Sequence, residues 1–125
     1  MEFSTQQIAD VTLVRVTGRI DHQTVKDFEK ALTPYLEADH PAAETKMILD
    51  LAGLDFLTSA GLRMLMIAAK ACDRQNRAIG VAALQPIVQE IFTISRFDLV
   101  LKVFPSVRKA LESLSPAALP DYERS

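Results

Sequence analysis

Cysteine occurs once in this chain of 125 residues, tryptophan not at all and glycine only four times, and neither sign of charge dominates. Each shortage excludes something. With Cys72 alone, neither an internal disulfide nor a thiolate-rich metal site can be built, which suits a cytoplasmic setting. Cys72 also falls within an apolar helical pattern, where it reads as a buried, inert thiol. Fourteen basic against sixteen acidic residues leave a formal charge of -2, so no basic field exists to hold a phosphate backbone and nucleic acid is not an expected partner. No segment reaches the ~18 uncharged residues of a membrane span, and "MEFSTQQIAD" lacks the basic-then-apolar order of a leader, so no direct membrane insertion is expected.

What is present is ordinary for a folded protein. Apolar residues make up 49% and charged residues 24%, enough for one domain with one packed core. Residues 3-9 and the β-branched run "VTLVRVTGRI" (11-20) predict two strands in an antiparallel hairpin around Asp10. From Asp21 the period changes to 3.6, with Val25, Phe28 and Leu32 on one stripe, Thr24 and Asp27 spaced like a capping box, and Pro34 set to kink or end a helix over 22-38. "KMILDL" (46-51) reads as a strand covered on both faces, with Asp50 as a loop-capping carboxylate. A loop over 52-58 leads into a helix from Ser59 to about Gln75, its stripe set by Leu62, Leu65, Met66, Ala69 and Cys72.

Residues 78-84 predict another buried strand, Pro86 the first turn of a third helix, 99-104 a last strand, and Ser106 the cap of a last helix. Strands that alternate with helices imply an α/β fold, a mixed and mostly parallel sheet of about five strands with about four helices. The expected domain covers residues 1-115, with 116-125 as a frayed tail. In such sheets ligands and modifications gather at the carboxyl ends of strands, which is where Thr58 and Ser59 fall.

Three chemistries suit Ser59. A serine at a helix start can cap it, worth about 1 kcal/mol. A nucleophile would need a base, an orienting acid and an oxyanion hole; His22 and His40 are the only histidines, and "LTSAG" is not a GxSxG elbow, so no catalytic residue, metal or cofactor is expected and the chain reads as a non-enzyme. A phosphoacceptor needs an exposed hydroxyl where a dianion is tolerated, and a helix N-terminus tolerates one.

Four stretches carry a family resemblance: "VTGRID" (16-21), "MILDLAGLDFLTSAGL" (47-62), "IGVAAL" (79-84) and "IFTISRFDLVLKVF" (91-104). In that order they resemble the bacterial anti-sigma factor antagonists, the stand-alone form of the STAS domain. The resemblance implies that Ser59 is phosphorylated by a partner anti-sigma factor, itself a serine kinase of histidine-kinase-like ATPase type. It implies that the unphosphorylated form binds this partner and frees a sigma factor, and that a serine phosphatase resets the switch. It places Asp21 on the same partner-facing surface, although an acid at a helix start can equally be a plain cap. Gly61 and Leu62 match the family's glycine and leucine, as a close backbone approach and a core anchor.

Two positions depart from the family pattern. Thr58 stands where aspartate usually precedes the serine, which opens three outcomes: slower phosphorylation, phosphorylation of Thr58, or none. Arg96 stands where glycine commonly ends the third helix, so a non-glycine residue at positive φ or another cap is expected. Around Ser59 the partner surface is expected to include Thr58, Arg63, Met64 and Ile67, the last two either exposed beside Ser59 or packed under neighbouring helices. Two rival functions share the fold order. A response-regulator receiver, with Asp50 and Lys102, lacks the acidic residues at an early strand end that hold Mg²⁺. A STAS scaffold in a lipid-transport, secretion-control or stressosome-like assembly would leave Ser59 unmodified.

Overall fold

The computed structural model describes residues 1-124. Strand β1 (Glu2-Ile8) and strand β2 (Val11-Ile20) form the expected hairpin, antiparallel and in unbroken register from Glu2 opposite Thr17 to Ile8 opposite Val11. Strand β3 (Lys46-Asp50) lies parallel to the first half of β2, followed in the sheet by β5 (Ile79-Ala82) and β6 (Lys102-Phe104), so the order is β1-β2-β3-β5-β6. The second half of β2 pairs instead with a short parallel strand, β4 (Leu54-Leu57). The register breaks between Gly18 and Arg19, and Gly18 takes φ +89°, a conformation L side chains rarely adopt. One ten-residue strand thus serves two neighbours in turn.

Alternate side chains of the central strands feed opposite faces. Val14, Val16, Met47, Leu49 and Val81 point into the larger core, which is closed by helices α1 (Val25-Leu32), α2 (Ser59-Arg74) and α3 (Pro86-Ile94) through Phe28, Leu65 and Phe92. Leu13, Ile48 and Ala82 point the other way, onto Val107, Ala110 and Leu111 of helix α4 (Val107-Leu114). This is a mixed, mostly parallel sheet with helices on both faces, of the class the strand-helix alternation predicts, with six strands and five α-helices among the described residues where about five and four are expected. Among the described residues no helix is long and apolar enough to cross a membrane.

Four expectations need correction. The helix expected over 22-38 is shorter: after α1 the chain tightens into a 3₁₀ turn, Thr33-Leu36, because Pro34 has no N-H for an α-helical bond. The loop expected over 52-58 contains β4, which four residues of mixed polarity do not announce. Part of the strand expected over 99-104 is a 3₁₀ turn, Phe97-Leu99. The segment expected to be a frayed tail folds as a 3₁₀ turn, Pro116-Ala118, and a short helix α5 (Leu119-Arg124), with Ala118 buried and Leu119 and Tyr122 against the second core; Ser125 lies outside the described residues.

Candidate functional site

Helix α2 begins where β4 ends. Thr58 is its N-cap, in extended conformation, and Ser59 is its first helical residue. The Thr58 N-H donates to the Ile20 carbonyl at 3.0 Å and its carbonyl accepts from the Leu62 N-H at 3.0 Å, so the helix start is tied to the end of β2. Because Ile20 is paired in parallel with Leu57, the next residues on the two strands, Asp21 and Thr58, emerge side by side. The unforeseen strand β4 is what brings Asp21 and Ser59 to one end of the sheet.

The two hydroxyls differ sharply. Ser59 is exposed, and its hydroxyl has no hydrogen-bond partner among the described residues, so it caps nothing and is open to a reagent. The Thr58 hydroxyl is sealed from solvent and also has no partner, which leaves an unsatisfied polar oxygen and no path to a kinase. Ser59 also sits at the positive end of a sixteen-residue helix, where added negative charge is favoured.

Asp21 is half-buried and its carboxylate is engaged. Oδ1 accepts from the backbone N-H groups of Gln23 at 2.9 Å and Thr24 at 3.1 Å, while Oδ2 lies 3.3 Å from the Arg19 Nε. These backbone donors are the main reason its pKa falls below the ordinary carboxylate value. Thr24 donates to the Arg19 carbonyl and accepts from the Asp21 N-H, and makes no capping bond to its own helix. The expected Thr24-Asp27 capping box therefore gives way to a turn closed by Asp21. Arg19, which the sequence did not single out, lies over the Phe56 ring at 5.4 Å and completes this edge.

Gly61 is buried, and a Cβ there would come within 3.0 Å of Ile20 Cγ2 and 3.3 Å of Leu57 Cβ, the close approach expected of it. The buried stripe of α2 is Gly61, Met64, Leu65, Ala68, Ala71 and Cys72, whereas Leu62, Met66 and Ala69 are only half-buried. The apolar residues of α2 support two overlapping stripes, and the packing of α1 and its 3₁₀ turn selects the one on their side. Leu62 thus packs at the margin of the core. Of the two readings left open, Met64 takes the packed one, at 4% accessible, and Ile67 the exposed one, at 45%. Val25, Lys26, Glu29, Ala60, Arg63, Met64 and Ile67 line an open groove of about 360 Å³ between α1 and α2. Among the described residues no His, Cys, Asp or Glu cluster could hold a metal ion.

Residues 2-110 match the STAS domain family. The chain belongs to that family. A Bordetella bronchiseptica relative, BtrV, is named as an anti-sigma factor antagonist and is 28% identical over 122 residues, 96% of this chain and 99% of that one. An anti-sigma factor antagonist from Mycobacterium paratuberculosis shares the fold at a TM-score of 0.80 and 23% identity, over 90% of this chain and 92% of the other. SpoIIAA, an anti-sigma factor antagonist, shares it at 0.74 and 16% identity in its unphosphorylated form, over 92% of this chain and 97% of that one.

Proposed function

We propose that this STAS domain is an anti-sigma factor antagonist switched by phosphorylation of Ser59. The observation that carries the reading is the exposed, unpartnered Ser59 hydroxyl on the first residue of α2. The names of BtrV and the structural relatives support the antagonist role, and SpoIIAA, described as a Bacillus cell fate determinant, is known in a phosphorylated form as well. The partner is an anti-sigma factor that is also a serine kinase of histidine-kinase-like ATPase type, and a serine phosphatase resets the system. The domain itself is a binding module acting in the cytoplasm.

In this reading the unmodified end of α2, the Asp21 turn, Ile67 and Arg63 meet the partner. Asp21 contributes by fixing the entry to α1 and by its charge, and Met64 floors the groove. Phosphate adds close to two negative charges at a helix end that favours them by about 0.3-1 kcal/mol, so the fold is kept while the partner meets a desolvated dianion. In this reading Arg63, four residues along the helix, pairs with the phosphate.

The test is incubation with the neighbouring-gene kinase, ATP and Mg²⁺, read by intact mass. One phosphate that disappears in Ser59→Ala supports the proposal. No gain with any such kinase favours the unmodified scaffold. A Ser59→Asp variant is expected to keep the wild-type circular dichroism and to lose the kinase in a pull-down; a misfolded variant would refute the helix-end argument.

A further inference from the structure

The Arg19 side chain is 61% exposed, yet it is held in two ways. It stands opposite Phe56 in the β2-β4 pairing, and its guanidinium lies over the Phe56 ring at 5.4 Å. Its Nε lies 3.3 Å from Asp21 Oδ2. That contact draws the side chain along the strand to the end of the sheet where α2 begins, because Asp21 emerges beside Thr58. An exposed arginine ordinarily samples many rotamers and loses that freedom when a partner binds. Here the ring and the carboxylate have already taken part of that loss.

Most of its charge is unspent. Asp21 Oδ1 is taken by the N-H groups of Gln23 and Thr24 and by the Thr24 hydroxyl at 3.3 Å. Of the influences that lower the Asp21 pKa, the Gln23 N-H is the largest and the charge of Arg19 the smallest. The single Nε contact leaves both Nη nitrogens of Arg19 without a partner among the described residues. A protein that covers this end of the domain strips water from those N-H groups, which then need an acceptor. A carboxylate matches the planar fork with two parallel bonds. We propose that Arg19 is a specificity-determining contact, whose Nη edge takes a carboxylate of the protein partner that docks at Ser59. This rests on the reading of Ser59 as a partner-facing residue. Asp21 alongside sets the opposite requirement, so the pair selects a partner with an acid against Arg19 and none against Asp21.

The test is the binding kinetics of the full chain with the neighbouring-gene kinase at several salt concentrations, in ADP and Mg²⁺ so that no phosphate is transferred. Arg19→Ala is expected to keep the wild-type circular dichroism, to bind about tenfold or more weakly, and to flatten the fall of kon with salt. Arg19→Lys keeps the charge without the fork, and should restore the salt dependence but not the affinity. Phe56→Leu, which removes the ring and leaves the charge, should cost a smaller factor. In an Asp21→Ala background, Arg19→Ala should still weaken binding; no further loss there would mean that the arginine acts only by holding Asp21, and overturns the proposal. So does an Arg19→Ala variant that binds as the wild type does, the result expected if the arginine serves only a phosphorylated Ser59. A wild type that binds no such kinase ends the reading of Ser59 and this proposal together, whereas a bound wild type indifferent to Arg19 ends this proposal alone.

Discussion

Thr58 and Ser59 are adjacent in sequence and opposite in environment, and the difference yields a prediction of sign. An ordinary threonine N-cap costs about 1 kcal/mol to remove. Here the Thr58 oxygen is buried without a partner, so Thr58→Val, which keeps the shape and deletes the orphan hydroxyl, should raise stability by roughly 1 kcal/mol. Urea denaturation decides it, and a lower midpoint would mean that the hydroxyl caps after all. A second residue-scale prediction concerns Ala83, which sits at φ 62°. Relief of about 1-2 kcal/mol of left-handed strain should exceed the ~0.4-1 kcal/mol of extra unfolded-chain entropy, so Ala83→Gly should gain about 0.5 kcal/mol in the same assay. Arg96 adopts φ 59°, as expected from an arginine in a glycine's place. Nothing comparable pointed to Ala83, because alanine carries no trace of the backbone angle it is forced to accept.

At the scale of elements, long periodic segments were legible and short or context-dependent ones were not. The spacing of Leu62, Leu65 and Met66 announces α2, but which of two overlapping stripes goes inside depends on where α1 lies, a tertiary fact. Strand β4 owes its existence to the spare half of β2, and four residues hold too little pattern to show it. The site suffered least, since the exposed hydroxyl at a helix start follows from local chemistry, whereas the juxtaposition of Asp21 and Ser59 needed the β2-β4 register. The C-terminal helix α5 was missed because Pro116 and Pro120 look like breakers, yet proline is tolerated in a first helical turn. Ending the chain after Ser115 should uncover the α4 face under Ala118, Leu119 and Tyr122 and remove the Arg108-Glu123 ion pair. The expected loss is roughly 1-3 kcal/mol in chemical denaturation, and an unchanged midpoint would show that α5 packs without consequence.

Across the whole molecule, distant segments are joined by a few polar contacts. Asp10 in the β1-β2 turn accepts from Lys46 Nζ at 2.6 Å, at the start of β3, and from the Ser115 hydroxyl beyond α4. The Lys46 bond, then the Ser115 bond, holds its pKa below the ordinary 3.8. With the folded-state pKa lowered, the stabilisation is complete above the ordinary unfolded-state value and is lost as pH falls from there through the folded pKa. Asp10→Asn should therefore be less stable than wild type near neutrality, with the gap closing below about pH 4; a gap independent of pH would rule the charge out. Elsewhere Arg77, buried with no carboxylate partner among the described residues, donates to the carbonyls of Tyr35, Ala42 and Thr45 and pins the long connection into β3.

The bond from Thr58 to Ile20 also has an evolutionary reading. Between those two residues the chain makes a helix, a long connection and a central strand before returning to the same spot. That detour can grow, shrink or be redecorated in a descendant without changing the spacing between acid and hydroxyl. A lineage is thus free to alter what surrounds Asp21 and Ser59 while the two stay in register.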